Sequence, residues 1–411
     1  MHVDVDYMDS ANWDEEMPAR MAWLRENAPI YWAEKSNLWV ISKYDDVLEV
    51  SKDQTRFTSE HGVRPGNPIK LGLIDEGEPR HTAVRKLMNR GFTPRMVKHW
   101  EDVFRGLCDD VLKEVAPAGE CDFVHDIAVP LPLLLIAEMI GIRKEDRERF
   151  HHWSDDMIGG EGNLDKPEIV AKAGTAYVEY SHYISEIIEQ RRREPREDLV
   201  SKLVAAKDEG LLETFDENPE LFMDDAEGVE LANDELIKLM VVLLVAGNET
   251  TRNAISGAMQ LLIENPEARQ KLIARPELIP DAMEEAVRLV SPVHSFGRTV
   301  TQDTEVRGQR MEAGQTVLLC YPSANRDADQ FSEPDRFIVD RKPHHLAFGI
   351  GPHFCLGANL ARMEMRVAFT EILRRLPDME YSAGGPQLKP SALVRSCTEM
   401  RVRYTPERAA A

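Results

Sequence analysis

The chain has 411 residues, and 50 lysines and arginines face 72 aspartates and glutamates, which gives a formal net charge of −22 at pH 7. This negative excess argues against nucleic acid and against an anionic membrane surface as partners. The 5 cysteines are scattered over the whole chain, which predicts no disulfide framework and a reducing, cytoplasmic compartment.

The N-terminal region is predicted to mix helices with short strands. Its acidic start, Met1-His-Val-Asp-Val-Asp, predicts neither a signal peptide nor a membrane anchor. Hydrophobic spacing predicts a helix over Met17–Asn27, two hairpin strands at Ile30–Trp32 and Leu38–Ser42, and a helix over Lys43–Lys52. No linker or composition break follows, so we predict one domain over residues 1–411.

A long irregular loop is predicted over Phe57–Ile74, which is rich in glycine and proline. Loops of this length inside a compact domain are usually functional or disordered. Beyond it, His81 and Arg85 are four residues apart and therefore share one face of a predicted helix. Judged by spacing alone, the pair is best interpreted as a solvated basic face.

The middle of the chain is predicted to be helical. Val103–Val115 and Val129–Ile142 read as buried helices. The nearby residues His151, His152, Asp155 and Asp156 lie among charged residues, which favours an exposed helix face over a metal site. The acidic segment Asp208–Asp234 is predicted to be a solvated surface loop or a pair of short helices.

A long central helix is predicted from a cap at Asn233 or Asp234 to Asn265. Its segment Leu239–Ala246 is apolar on nearly all faces, as in a helix that crosses a domain core. Directly afterwards come Gly247-Asn-Glu249-Thr250, and the Thr250 hydroxyl is positioned to bond back to the carbonyl of Ala246. This polar group is either a locally satisfied helix kink or a functional site.

Two further helical features precede the C-terminal region. Glu285 and Arg288 are three residues apart on a predicted helix over Asp281–Val290, and as an exposed pair they would stabilise by only about 0–1 kcal/mol. The segment after this helix leads into a predicted strand over Arg298–Val306. Strand patterns are a minority, so the predicted class is mainly α with a smaller β part.

The stretch Phe348-Gly-Ile-Gly-Pro-His-Phe-Cys355-Leu-Gly357 offers one cysteine in a glycine-punctuated turn. Its glycines allow positive φ or close approach to a flat partner. Because a helical pattern follows, we expect Cys355 at a helix N-terminus, where a thiolate is favoured as nucleophile or metal ligand. The alternative is a buried apolar cysteine. His353 and Cys355 alone lack the four ligands of a structural zinc site.

The spacing Phe-x-x-Gly-x-x-x-Cys-x-Gly resembles the haem-binding loop of the cytochrome P-450 family. Phe348, Gly351, Cys355 and Gly357 occupy its four fixed positions. The resemblance implies haem b as cofactor, with the Cys355 thiolate as the iron ligand. It also implies the family fold, a triangular helical prism with a long central oxygen-groove helix and a small β-rich part.

The polar group on the central helix resembles the family's oxygen-binding groove. The resemblance implies that Ala246 and Gly247 line the groove beside the haem. It assigns Glu249 as the acid and Thr250 as the alcohol that deliver protons to O2. Their presence implies activation of O2 with external electrons.

Other motifs of the family occur in the expected order. His81 and Arg85 resemble its propionate-binding pair, although the lead-in Gly77-Glu-Pro-Arg departs from the usual Asp-Pro-Pro-x-His. Arg298 and His353 match further propionate partners. A structural Glu-Arg-Arg triad is implied for Glu285, Arg288 and Arg336.

The resemblance is nearest to the bacterial steroid side-chain-oxidising branch. It implies hydroxylation of an unactivated C–H bond of a lipophilic molecule, such as a steroid or sterol side chain. A terpenoid, fatty acid or aromatic substrate is the alternative, and a non-catalytic haem gas sensor or carrier is the remote one. The expected substrate-pocket residues are Leu73, Ile74, Met240, Leu244, Val293, His294, Phe296 and Val394.

The redox chemistry implies protein partners. Because the sequence shows no reductase domain, electrons from NAD(P)H are expected to arrive through a ferredoxin and its ferredoxin reductase. Lys86, Arg90, Arg362 and Arg366 are candidates for a local basic docking surface; each could equally be a solvated charge. The protein is expected to be a cytoplasmic monomer.

Overall fold

The structure, a computed structural model, describes residues 2–67, 70–89, 91–161, 163–206 and 231–407. The acidic segment predicted over Asp208–Asp234 lies outside the described residues up to residue 230. The helices are longer than the strands and cover a larger share of the chain, so the predicted mainly α class with a smaller β part is confirmed.

Thirteen α-helices and twelve strands form the described chain. The helices are α1 Met17–Asn27, α2 Tyr44–Lys52, α3 Arg80–Asn89, α4 Pro94–Val115, α5 Pro130–Ile140, α6 Arg147–Glu161, α7 Pro167–Arg193, α8 Leu199–Ala206, α9 Leu231–Glu264, α10 Pro266–Ala274, α11 Ile279–Val290, α12 Tyr321–Ala324 and α13 Ala358–Arg375. The strands are β1 Ile30–Ala33, β2 Leu38–Ile41, β3 Phe57–Thr58, β4 Glu120–Asp122, β5 Ser295–Val300, β6 Thr304–Val306, β7 Gln309–Met311, β8 Thr316–Cys320, β9 Glu380–Tyr381, β10 Gln387–Lys389, β11 Ser396–Glu399 and β12 Arg401–Arg403.

Helix α9 is the central element of the fold. It packs against α5, α6, α7, α10, α11 and α13, which explains why its residues 239–245 are apolar on every face. The helix begins at Leu231, a little before the predicted caps Asn233 and Asp234, and it ends at Glu264 in front of Pro266. Its polar residues are therefore carried into the middle of the helical core.

A five-stranded sheet lies beside the helical core in the order β1-β2-β8-β5-β3. Strands β2 and β8 run parallel and all other neighbours run antiparallel. In this register Arg298 of β5 pairs with Val317 of β8. The sheet thereby fixes the position of Arg298, which is buried.

One helical stretch, Phe123–Ile140, is long and apolar enough to cross a membrane by composition. It consists of a π-helical turn over Phe123–Ala128 followed by α5. Because 72% of the stretch is buried inside the protein, its apolarity is explained by the core.

A buried ionic cluster joins α11 to the segment before the cysteine loop. Both Glu285 oxygens accept hydrogen bonds from Arg288, from Nε at 2.7 Å and Nη2 at 2.8 Å, and both side chains are fully buried. The third member is Arg341, whose Nε donates to Glu285 Oε1 at 2.9 Å. The prediction of Arg336 was wrong, because its side chain is 69% exposed and pairs with Glu333.

This cluster predicts different effects for the two arginines. Arg341→Ala should lower the free energy of unfolding by about 2 kcal/mol, because a buried carboxylate loses one charged hydrogen-bond donor but keeps Arg288. Arg336→Ala should change it by less than about 0.5 kcal/mol, since its pair is exposed. Urea unfolding followed by circular dichroism measures both, and equal losses would contradict the assignment.

Candidate functional site

The cysteine loop is held in shape by its own backbone. The Cys355 N–H donates to the Phe348 carbonyl at 2.8 Å, and the Phe354 N–H donates to Gly351 at 3.0 Å. Gly349 and Gly351 have positive φ, as expected, whereas Gly357 has a φ of −84°. A Cβ on Gly357 would meet no atom within 4 Å, so this glycine leaves open space next to the cysteine.

Phe348 packs against the side chains of Arg362 and His345, which share one carboxylate. The Arg362 guanidinium lies 4.8 Å from the Phe348 ring centroid, and the His345 ring lies 5.5 Å from it. Glu284 of α11 accepts from Arg362 Nε at 2.7 Å and contacts His345 Nε2 at 3.3 Å. This carboxylate therefore anchors the loop that carries Cys355 to two helices.

The environment of the Cys355 thiol differs from the prediction. Helix α13 begins at Ala358, three residues after the cysteine, so the thiol precedes the first turn. Burial raises the pKa of the Cys355 thiol, while the N–H groups of Gly357 and Ala358 and the cations Arg85 and Arg362 act in the opposite direction. The helix terminus alone therefore does not make a thiolate here, and a bound metal cation would supply the missing stabilisation.

The predicted propionate partners do come together. The His81 and His353 ring centroids are 4.1 Å apart, and the His81 Nε2 is buried without a hydrogen-bond partner. Burial, together with Arg298, His81 and Arg85, lowers the pKa of His353 to about 2. Arg298 is buried, and its one described hydrogen bond is to the adjacent Gly297 carbonyl at 2.7 Å. Glu78 Oε1 lies 3.1 Å from His81 Nδ1, so it is the Nε2 side of this cluster that has no described partner, and carboxylates of a cofactor would complete it.

The groove on α9 has the predicted local geometry. The Thr250 Oγ1 donates to the Ala246 carbonyl at 2.7 Å, which confirms the expected bond. Ala246 is exposed and Thr250 is half-buried, although the residues around them on α9 are buried. A Cβ on Gly247 would lie 2.7 Å from Ile136 Cδ1, so glycine allows α5 to pack closely. These two residues are therefore accessible on an otherwise largely buried segment of α9.

Glu249 lies in the core with both carboxylate oxygens engaged. Its side chain is 1% exposed, and burial raises its pKa although Arg252 acts to lower it. Asn253 Nδ2 donates to Oε1 at 2.9 Å, and Arg252 Nη2 lies 2.6 Å from Oε2. The acid is thus buried where the sequence places it, and its partners come from the next turn of α9.

These features together fit a haem. A half-buried cysteine residue and an accessible helix groove provide two faces for a flat cofactor, and the open space at Gly357 leaves room beside the cysteine. The unpartnered His81 Nε2 lies among cationic groups suited to propionates. The donor set therefore matches the cofactor that the cysteine motif implies.

The predicted substrate wall is only partly assembled from the expected side chains. The turn Gly72–Asp75 packs on α9, so Leu73 and Ile74 lie on an element adjacent to Met240 and Leu244. Val293 and Val394 form a β-bridge, and Phe296 packs edge-on against Tyr321 at 6.1 Å.

The prediction for His294 was wrong. Its ring stacks on Trp13 at 4.6 Å, and its Nδ1 lies 3.1 Å from the Ser391 carbonyl. Burial lowers the pKa of His294 to about 4, so it packs as a neutral aromatic ring. The Trp13 side chain comes from the N-terminal segment, a distant part of the chain that spacing could not place here.

The irregular loop before α3 is tied down by one carboxylate. Asp75 accepts hydrogen bonds from the Val63 N–H at 2.8 Å, the Leu71 N–H at 2.7 Å and Arg64 Nη2 at 2.8 Å. The Val63 carbonyl also accepts from the Gly297 N–H at 2.6 Å. The described part of the loop is therefore fixed between a buried carboxylate and β5.

The predicted basic docking surface is electrostatically compensated. Arg362 is paired with Glu284, and Arg366 Nη2 lies 2.7 Å from Glu101 Oε2. Lys86 is exposed on α3, and Arg90 lies outside the described residues. A cleft of about 370 Å³ opens on this face, lined by Phe348, Met283, Glu284, Arg362 and Arg366, among others. The surface thus combines apolar and paired charged groups.

Sequence reasoning missed several residues of the site. Arg341, Glu284 and His345 anchor the cysteine loop. Arg252 contacts the groove acid, and Asp155 contacts Arg252. Arg252 could have been found, because its spacing from Glu249 is the same as that between Glu285 and Arg288. No local pattern links the others, since their partners are far apart in the chain.

Comparison with known proteins gives consistent matches over the chain. The family model "Cytochrome P450" matches residues 14–377. A steroid C26-monooxygenase of Mycobacterium tuberculosis is 36% identical, with 98% of each sequence covered. The crystal structure of CYP109E1 from Bacillus megaterium in complex with testosterone has a TM-score of 0.79 and 32% identity, covering 94% of this chain and 98% of that one. CYP109B1 from Bacillus subtilis has a TM-score of 0.81 and 33% identity, covering 95% of this chain and 99% of that one.

The close packing of the cysteine loop at Gly351 can be tested against a matched control glycine. Gly351 and Gly308 both have a φ of +77°. A Cβ at Gly351 would lie 2.9 Å from the Ser51 carbonyl oxygen, whereas a Cβ at Gly308 would meet no atom within 4 Å. Gly308→Ala should cost about 1 kcal/mol for the left-handed backbone. Gly351→Ala should cost about 1–3 kcal/mol more from overpacking. Denaturant unfolding measures the difference, and equal costs would show that the close approach to Ser51 is unimportant.

Proposed function

The chain belongs to the cytochrome P450 family, and on this premise we propose that it hydroxylates an unactivated C–H bond of a steroid or sterol side chain. It is a haem-dependent monooxygenase that uses O2 and receives electrons from redox partners. The observation that carries the steroid proposal is the similarity to steroid C26-monooxygenases over 93–98% of this chain. The testosterone and corticosterone complexes of a related enzyme support the same substrate class.

The overall reaction inserts one oxygen atom of O2 into the C–H bond and releases the other as water. It consumes one NAD(P)H and one proton and yields the alcohol and NAD(P)⁺, so two electrons and two protons are supplied and the second oxygen leaves as water. Bound haem supplies the O2-activating and hydrogen-abstracting chemistry, which thiolate ligation favours. The protein must bind the cofactor, orient the substrate and hold protons near the reacting oxygen.

We assign these tasks to residues by position. Cys355 would ligate the iron, with Phe348 and Gly357 shaping the loop around it. His81, Arg85, Arg298 and His353 would bind the propionates, because they lie together and His81 Nε2 is buried there without a partner. Glu285, Arg288 and Arg341 stabilise the segment behind the loop.

The α9 groove would hold the protons. Thr250 keeps its hydroxyl on the Ala246 carbonyl, beside accessible space, and Gly247 lets the groove lie close to α5. Glu249 is the adjacent buried acid, and burial raises its pKa, which favours the protonated form. A carboxyl group and a hydroxyl on successive residues can pass a proton from the interior towards the reacting oxygen.

The substrate wall is proposed from the elements that meet next to this groove. Leu73, Ile74, Met240 and Leu244 come from the turn Gly72–Asp75 and from α9, and Val293 and Val394 come from the bridge opposite. These side chains are apolar, which suits a lipophilic skeleton. Phe296 is kept as a neighbour of this wall, and His294 is not part of it.

Three further proposals concern the domain organisation of the protein, its redox partners and its location. We propose that residues 1–411 form a single domain, supported by one hydrophobic cluster that includes residues from Leu71 to Tyr404. A ferredoxin and its reductase would deliver electrons at the cleft near Arg362, from which Phe348 leads to Cys355. A cytoplasmic monomer remains our proposal.

Substrate class is tested by binding. Titration of the haem-loaded protein with steroids, terpenoids, fatty acids and aromatic compounds should give a substrate-induced Soret shift at the lowest concentration with 3-keto steroids or sterols. Tighter binding by roughly tenfold, about 1.4 kcal/mol, over a fatty acid of equal carbon number is expected. A larger shift with fatty acids or terpenoids would replace the steroid proposal but keep the monooxygenase.

The role of Thr250 is tested by coupling. Thr250→Ala should lower the product formed per NAD(P)H by roughly tenfold or more and release peroxide instead, because a positioned proton donor contributes about 10²–10⁴-fold. The control is Thr251→Val, since Thr251 bonds to Glu364 and is buried away from the groove. Both variants should keep the reduced-CO Soret band of thiolate-ligated haem, and unchanged coupling in Thr250→Ala would remove its assigned role.

A further inference from the structure

Both side-chain partners of the Glu249 carboxylate lie on α9 itself. One carboxylate oxygen accepts from Asn253 at 2.9 Å, and the other lies 2.6 Å from Arg252. The Thr250 hydroxyl is engaged with the Ala246 carbonyl. Among the described residues, no hydrogen bond joins the acid to the alcohol, so Glu249 must loosen its hold on Arg252 before it can pass a proton onward.

The Arg252 guanidinium is shared between two carboxylates. Its Nη2 faces Glu249, and its Nη1 donates to Asp155 Oδ1 at 2.6 Å. Arg252 is 11% exposed and Asp155 is 40% exposed, so the chain of charges runs from the core to the surface. His151 Nε2 lies a further 3.7 Å from Asp155.

The contact with α6 is made at two points on the same side of α9. Asn248 Nδ2 donates to Ser154 Oγ at 2.9 Å, and Arg252, four residues later, binds Asp155. Residues four apart on a helix share one face. This stretch of α6 is therefore registered against the turn of α9 that carries Glu249.

We propose that Arg252 and Asp155 are positioning residues that govern proton exchange at Glu249, with Asp155 as the point where the buried network meets solvent. The inference rests on the proposed function, because it takes Glu249 as the groove acid. It adds a residue of the central helix and a residue of α6 that the motif does not contain. Arg252 Nε is buried without a hydrogen-bond partner, and Glu249 Oε2 is held only by its ion pair with Arg252 Nη2, so the network is incompletely satisfied.

Glu249 and Asp155 compete for the positive charge of Arg252. Arginine does not give up its proton, so Arg252 acts on Glu249 through its charge. Asp155 draws the same guanidinium towards the surface and adds negative charge near Glu249. Burial raises the pKa of Glu249, Arg252 opposes this increase, and Asp155 reinforces it. The two residues therefore act on the acid in opposite directions.

The charged and titratable groups around this network are few. Asp155 and His151 face it from α6, and Arg252 faces Glu249 from α9 itself. The Cys397 thiol of β11 also interacts electrostatically with Arg252. His151 also senses His152 and, from the π-helical turn, His125. Burial lowers the pKa of His151, so it is neutral near pH 7 and contributes little charge there.

The experiment compares Asp155→Asn with Arg252→Gln in the haem-loaded full chain. Asp155→Asn should move the pH at which coupling is half-maximal down by about 1 unit, and Arg252→Gln should move it up by about 1 unit or more. Arg252→Lys should restore most of the wild-type profile. A merely structural role would weaken activity without separating the two profiles in opposite directions.

The matched control is Asp156→Asn on the same helix. Asp156 carries the same charge but pairs with Lys172 at 2.7 Å on α7, so its loss should leave the profile unchanged. A second readout is independent of turnover: the infrared carbonyl band of protonated Glu249, identified by its absence in Glu249→Gln, should follow the same two shifts in substrate-free protein. Because Asp155 is on the surface, its variant stays informative even if Arg252→Gln does not fold.

The outcomes separate this inference from the proposed function. Unshifted profiles and bands in Asp155→Asn, with Thr250→Ala still uncoupled, would overturn the positioning role and leave the monooxygenase intact. Shifts of both variants in the same direction would also overturn it. If the wild type consumes NAD(P)H without oxidising any steroid, the substrate proposal fails, whereas the infrared comparison still decides the role of Arg252 and Asp155.

Discussion

Burying charge costs free energy unless protein groups replace the lost water, and the interior of this protein meets that requirement to different degrees. Glu285 is fully compensated by two arginines and holds the segment behind the cysteine loop. Glu249 must share its single arginine with Asp155. In the cluster around His81 and Arg298, Glu78 contacts His81 Nδ1, but His81 Nε2 is buried without a partner. The degree of compensation falls from the structural cluster to the cofactor site.

This ordering explains how one helical scaffold supports both rigidity and chemistry. Helix α9 brings an acid and an alcohol into the apolar core, where each remaining interaction is strengthened by the low dielectric. On the opposite side, Glu284 fixes Arg362 and His345 around Phe348, so the cysteine loop is positioned before any cofactor binds. A cofactor that carries both a metal cation and carboxylates would stabilise the Cys355 thiolate and pair with the groups around His81 and Arg298.

Several features of the site were predictable because they are local in the chain. The Thr250 bond to Ala246 depends only on a four-residue spacing within a helix, and the positive φ of Gly349 and Gly351 depends on a turn that only glycine adopts easily. The same reasoning failed for the Cys355 thiol, because proximity to a helix terminus says nothing about burial, which raises its pKa.

By itself, the sequence determined the family and the mainly helical class, and it singled out Cys355, Glu249 and Thr250 for the roles proposed above, since these are carried by short motifs and periodicity. Tertiary structure decided which arginine completes the triad: Arg341 reaches Glu285, and Arg336 turns to solvent. It also stacked His294 on Trp13 and joined Arg252 to Asp155, 97 residues away. Such contacts depend on how distant elements pack against each other, and no spacing along the chain encodes that distance.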